Sequence, residues 1–215
     1  MKRLPVLALL FLLSIDIQGQ NSLGLRFNAH LNRVFDDLEN PWQPLSFGGN
    51  GAIAWQLKSR WFFQLDLGLS QRRTELVNAG VSHYLSSKYR LLQTEINLLG
   101  KYELVSSGPR IMLTGGLATG LALSGRGHTA GWWVGPYSVS YYQKVDFGRF
   151  DLRRFQFGPM VGFDIAQKIG SGEMLLDVRL GLFPEERFNS TYGYLRESRL
   201  SIGVGYRWNL KRKPN

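Results

Sequence analysis

The chain has 215 residues, with 26 Lys and Arg against 16 Asp and Glu for a formal charge of +10, and no cysteine. That length suits a single domain, and the missing thiols exclude both a disulfide framework and a thiolate zinc site. The basic residues gather neither on one helix nor in one tract, which argues against nucleic acid as a partner.

The amino terminus, MKRLPVLALLFLLSI, sets Lys2 and Arg3 ahead of an apolar run from Leu4 to Ile15. That run is too short to cross a bilayer as a helix. It reads as a secretory signal peptide over residues 1–19, cleaved after Gly19, which leaves one outer-membrane β-barrel domain at 20–215. The alternative is that residues 4–15 form a buried strand or helix. No later segment approaches the roughly 20 apolar residues of a spanning helix. A closed sheet is the other way across, because hydrocarbon requires every backbone polar group to be paired within the protein.

Alternation with a two-residue period predicts eight strands. The first sets Leu23, Leu25, Phe27, Ala29 and Leu31 against Gly24, Arg26, Asn28, His30 and Asn32. The second covers 47–57, with Ile53, Trp55 and Leu57 on one face, and turns at Lys58, Ser59 and Arg60. The third places Trp61, Phe63, Leu65, Leu67 and Leu69 opposite Phe62, Gln64, Asp66, Gly68 and Ser70. The fourth, 90–103, opposes Leu92, Ile96, Leu98 and Tyr102 to Gln93, Glu95, Asn97 and Lys101, and a Ser-Ser-Gly-Pro turn follows. Leu113, Leu117, Leu121 and Leu123 mark the fifth. Phe155, Phe157, Val161, Phe163 and Ile165 mark the sixth, where Pro159 predicts a bulge or a strand end nearby. Met174, Leu176, Val178, Leu180 and Leu182 mark the seventh. The last alternates Leu200, Ile202, Val204, Tyr206, Trp208 and Leu210 with Arg199, Ser201, Gly203, Gly205, Arg207 and Asn209.

Three of the connections are short turns and four are long, the asymmetry of outer-membrane barrels with periplasmic turns and extracellular loops. Both termini then lie at the periplasmic end. Lys58, Arg60, Arg110, Lys168, Lys211, Arg212 and Lys213 sit around that rim, suited to lipid headgroups, while the first long loop carries Asp36, Asp37 and Glu39.

Alternation alone does not say which face meets lipid, and a secreted lipocalin-like barrel binding a small ligand would alternate too. Trp61, Tyr102, Tyr206 and Trp208 fall near strand ends, as an interfacial aromatic girdle requires. The opposite face carries Asp66, Glu95, Asp164, Glu173 and Asp177 against Arg26, Lys101, Arg179, Arg199 and Arg207. Such a balance predicts a charge network across a lumen that Phe62, Leu99, Met112, Met160 and Leu175 help to fill.

Little points to an enzyme or to a cofactor. The histidines are His30 on the first strand and His83 and His128 in the second and third long loops, with no metal-ligand spacing, no Gly-x-Ser-x-Gly elbow and no HExxH pair. The third long connection, 125–153, holds Trp132, Trp133, Tyr137, Tyr141, Tyr142, Phe147 and Phe150, which predicts a recognition loop for a protein partner. Its SVSYYQKV stretch is extended in character and suits a hairpin above the membrane. Arg126, Lys144, Arg149 and Arg153 suit the phosphates of lipopolysaccharide, and the alternative is that the rings pack on one another or cap the barrel.

The stretches LGLRFNAHLN, LLQTEINLLGKYEL, IMLTGGLATGLALSG, MLLDVRLGL and LSIGVGYRW together resemble the PorT-like outer-membrane β-barrel family of Bacteroidetes. The resemblance implies the barrel fold, an outer-membrane location and insertion by the barrel-assembly machinery. It also offers an accessory role in type IX-like secretion as an alternative function. One departure is the ending, where Trp208 is followed by NLKRKPN instead of closing the chain.

Overall fold

The computed structural model describes residues 21–35, 45–80, 83–133, 137–145, 154–186 and 194–210. The signal segment, Asp36, Asp37, Glu39, Phe147, Arg149, Phe150, Arg153 and Lys211, Arg212 and Lys213 lie outside them. The strands are β1 (Asn21–Phe35), β2 (Ser46–Lys58), β3 (Trp61–Gly80), β4 (His83–Val105), β5 (Arg110–Trp133), β6 (Tyr137–Lys144), β7 (Phe155–Ile169), β8 (Gly172–Glu186) and β9 (Tyr194–Asn209). Their order in the sheet is β4-β3-β2-β1-β9-β8-β7-β5-β6, and a β4–β5 pairing closes it. Eight strands therefore form an all-β antiparallel barrel, and β6 pairs with β5 alone. Closure matters because it leaves no ladder edge to face lipid.

The turns at one end are tight. Lys58 and Trp61 are the last and first strand residues across the first, Gly108 (φ 73°) serves the second and Gly170 (φ 61°) the third. Positive φ at those two positions is where glycine costs least. Asn21 and Asn209 lie at this same end, since Ser22 pairs with Asn209 and Asn21 with Trp55. The aromatic girdle sits here too: Trp61 and Tyr102 pair directly across β3 and β4 with rings 4.9 Å apart, and Tyr206 lies 5.0 Å from Trp208.

The opposite end departs from the expectation of four long loops. Residues 71–80 and 83–92 are strand, zipped together from Gln71↔Leu92 to Gly80↔His83, so the second loop is a tall hairpin and His83 begins β4. The third connection forms the hairpin expected of its SVSYYQKV stretch: β5 continues to Trp133 and pairs with β6 from Arg126↔Lys144 to Trp133↔Tyr137, which places His128, expected in a loop, on a strand. The reason is backbone pairing, since a hairpin satisfies its own N–H and C=O groups without needing the apolar alternation that marks the membrane segments. Above the rim β3, β4, β5 and β6 thus make a four-stranded sheet. Its edges are β3, whose pairing with β2 ends at Ser70, and β6.

Two irregularities set the faces. Leu92 pairs with Ser124 but Gln93 with Ala122, so Leu123 is an extra residue in β5. Below this bulge the even positions Thr114, Ala118 and Ala122 are buried, and above it the odd positions Gly125, Gly127 and Thr129 are. At Pro159 β7 itself runs on, paired through Leu117↔Pro159, but its ladder with β8 stops at Met160. A residue with no N–H thus stands where one side of the ladder ends.

Candidate functional site

The exterior of the barrel is apolar. Leu25, Phe27, Leu67, Leu98, Leu117, Phe157, Val161, Leu176 and Val204 are all exposed. Their counterparts inside are polar: Arg26, Asp66, Lys101, Asp164, Asp177, Arg179, Arg199 and Arg207 are buried, with Lys101 and Asp66 at no more than 1 % exposure. A barrel built to hold a small apolar ligand needs the reverse arrangement, so the lipocalin-like alternative does not fit this chain.

All ten charged residues expected in the lumen lie there, and the structure adds the pairings. In the middle layer Asp66 accepts from Arg26 and, at 2.7 Å, from Arg179. Arg26 also donates to Asp177 at 2.9 Å, and Lys101 pairs with Asp164. Arg179 lies 3.3 Å from Asp177 as well, so three strands that do not touch as neighbours are tied through one cluster. Toward the periplasmic end Glu173 pairs with Arg207 and, at 2.6 Å, with Arg110. Toward the other end Arg199 pairs with Glu95, which also accepts from Ser70 at 2.6 Å and Gln93 at 2.7 Å.

Several participants were not anticipated. Arg110, expected at the headgroup rim, turns into the barrel mouth, where Glu103 lies 2.9 Å away and Glu173 2.6 Å away. Arg72 and Glu197 form a further pair at 2.6 Å, with Gln156 donating to the same carboxylate at 3.1 Å. Their signal was present, because Arg72 continues the even positions of β3 and Glu197 the odd positions of β9, yet both fell in segments read as loops. Gly203 and Gly205 are a second omission. A Cβ on Gly203 would lie 2.9 Å from an Asp177 oxygen, and one on Gly205 would lie 2.4 Å from Arg26 Cγ. These two glycines make room for the ion pair.

Among the described residues, little space is left in the middle of the lumen. Phe62, Leu99, Met112, Met160 and Leu175 are buried. A void of about 20 Å³ bounded by Asn28, His30, Glu95, Asp177 and Arg199 among others is the size of roughly one water molecule. His30 shares a hydrogen bond with Ser201 at 2.8 Å. Among the described residues no group of His, Asp and Glu could hold a metal ion.

The aromatic residues of the upper sheet do not form one patch. Tyr142 is 84 % exposed and shares the outer face with Trp132, while Tyr141, the next residue along β6, lies on the other face. Tyr84 joins Trp132 directly across β4 and β5. His128 stacks at 4.4 Å on Tyr142 and shares a 3.1 Å hydrogen bond with Ser140. Trp133 pairs in register with Tyr137 at the tip.

A closed eight-stranded sheet with an apolar belt outside and paired charges inside is an outer-membrane transmembrane β-barrel. A solved structure agrees in fold. OprG, an outer membrane protein of Pseudomonas aeruginosa, is 9% identical over 92% of this chain and 100% of its own, with a TM-score of 0.51. Ail, the attachment invasion locus protein of Yersinia pestis, is 13% identical over 88% of this chain and 99% of its own, at 0.44. Neisserial surface protein A is 12% identical over 87% and 97%, at 0.42. No protein-family model matches the chain, and no curated protein matches it.

Proposed function

We propose that this protein is a non-enzymatic, non-conducting barrel of the outer membrane whose membrane segment serves as a rigid foot for a recognition surface on the upper sheet. The observation that carries this reading is the filled lumen. Paired charges and large apolar side chains occupy the space that a solute would need, and an eight-stranded barrel is only wide enough for its own side chains. Asp66, Asp164 and Glu173 each pair with an arginine or a lysine, which gives these carboxylates a structural task. What the barrel does offer the outside is a sheet raised above the rim, with Tyr84, Trp132 and Tyr142 on its outer face. Exposed aromatic residues of this kind serve as anchors in macromolecular interfaces.

The experiment is conductance of the purified protein in planar bilayers, run beside crosslinking in intact outer membranes. The expected result is silence in the bilayer, together with crosslinked products that disappear when Trp132 and Tyr142 are changed to Ser. Stable nanosiemens-scale channels would overturn the occluded-foot reading. An unchanged set of crosslinked products in the variant would overturn the recognition surface.

A further inference from the structure

One row of the upper sheet is built from like charges. Arg73 pairs in register with Arg90, Arg90 with Arg126, and Arg126 with Lys144, so four cations stand side by side across β3, β4, β5 and β6. Cross-strand neighbours of like charge destabilise a sheet, and here three such pairs follow one another. With strands ~4.8 Å apart the row extends about 14 Å. Among the described residues no carboxylate forms an ion pair with any of the four, in contrast to every cation of the lumen network.

The row also has a defined height. Just below the row, Leu69 on β3, Leu92 on β4 and Leu123 on β5 are exposed aliphatic residues. Arg73, Arg90 and Arg126 are the first charged residues beyond them on that face. On β4 the apolar run from Tyr102 to Leu92 has the length of a membrane-crossing strand, ~9–11 residues. The cations therefore stand where the hydrocarbon ends and the headgroups of the outer leaflet begin. The Leu123 bulge is what puts Arg126 there, because unbroken alternation from Leu121 would turn it inward.

A groove of about 850 Å³ opens along this row. Arg90, Arg126 and Lys144 supply its charge, Leu92 its apolar end, and Tyr142 one side. The platform beneath is firm: Tyr89 packs across Gly127, where a Cβ would come within 2.7 Å of the ring, and Leu91 packs across Gly125. That contact locks the register that holds Arg90 against Arg126.

We infer that this groove is an annular binding site for a multiply phosphorylated glycolipid of the outer leaflet, its phosphates spread along the cation row and its acyl chains lying on the leucine belt below. The chemistry selects a lipid over a soluble anion. The charge lies on the lipid-facing side of the barrel, it is continuous with apolar surface at Leu92, and a row about 14 Å long needs several negative groups on one molecule to neutralise it. Bound phosphates would remove the repulsion between the cation pairs and so brace the tall sheet as well.

The test uses the full barrel in nanodiscs, with bisphosphorylated lipid A as the probe and bound lipid counted by native mass spectrometry. Arg90→Gln, Arg126→Gln and Lys144→Gln together keep the strands uncharged and extended, and unheated gel migration verifies the barrel. Expected results are retention of lipid A by the parent protein, at least tenfold weaker retention by the triple variant and by dephosphorylated lipid A, and no displacement by inorganic phosphate. Should the triple variant not fold, Arg126→Gln alone is expected to weaken retention about threefold. Equal retention by folded parent and variant, or equal binding of the dephosphorylated lipid, overturns the site. So does a variant that keeps its lipid but loses a crosslinked protein, which makes the row a protein-docking face. Displacement of lipid A by inorganic phosphate alone reduces it to an unspecific anion surface and equally overturns it.

Discussion

The lumen and the outer face of the upper sheet treat the same side chains in opposite ways. Inside, Arg26 and Arg179 converge on one carboxylate, Asp66, and each described cation of the network has an acidic partner within 4 Å. Above the rim, Arg90 and Arg126 face each other across β4 and β5, with no acid opposite either. Both regions belong to one continuous sheet, so the difference lies in solvent. A charge enclosed in the barrel must be neutralised by the protein itself, whereas one at the headgroup layer is open to neutralisation from outside. Charge in the first region is structure, and charge in the second is what the proposed glycolipid would neutralise.

The comparison breaks most readily at Asp66. Asp66→Ala leaves Arg26 and Arg179 to share Asp177, and losing one member of a buried pair costs about 3–5 kcal/mol. Urea unfolding of the refolded barrel in detergent, followed by the gel shift between folded and unfolded forms, should show a midpoint lowered accordingly. A variant as stable as the parent would mean that the lumen is hydrated and its charges are not structural.

Next in size is a charge forced onto the belt. Leu98 is exposed to lipid and pairs with Leu117 in the middle of the apolar zone. Leu98→Arg should cost about 2–4 kcal/mol in lipid vesicles, while the same substitution in a detergent-solubilised barrel costs less because the arginine reaches water more easily. An equal loss in both media would count against Leu98 lying at mid-bilayer.

Gly205→Leu sharpens the lumen side. Its Cβ alone would lie 2.4 Å from Arg26 Cγ, and overpacking of this kind typically costs about 1–3 kcal/mol. Proteolysis of the upper sheet in folded protein should be unchanged, since the site is deep in the barrel. The smallest effect belongs to Tyr142→Ala. At 84 % exposure, the ring contributes within about 0.5 kcal/mol to stability, so the unfolding midpoint should hold while binding at the groove weakens. A midpoint shift as large as that of Asp66→Ala would erase the distinction between the two regions.

Much of the barrel was legible in the chain. A two-residue period assigns each residue a face as long as strand continuity is unbroken, which is why Arg26, Asp66 and Asp177 could be placed opposite Leu25, Leu67 and Leu176. Short turns at Ser59, Gly108 and Gly170 gave the end at which the termini lie. The tall β3–β4 hairpin was not legible, because residues 71–80 and 83–89 carry no strict apolar alternation and read as a loop, whereas the SVSYYQKV stretch at β6 was read as extended. Outside the membrane both faces of a strand meet water or headgroups, so the pattern that marks a strand loses its cause.

What the amino-acid order determined by itself, then, was an all-β barrel with one apolar and one charged face, because alternation is local and repeats along each strand. Which carboxylate meets which arginine was decided only when strands distant in sequence closed into a ring, as Arg26 and Asp177 lie on strands separated by most of the chain. The same holds for the cation row. Arg73, Arg90, Arg126 and Lys144 align only through the register of three ladders and the extra residue Leu123. Register is a property of paired strands, set by bulges and by contacts such as Tyr89 across Gly127, and no single strand carries it alone.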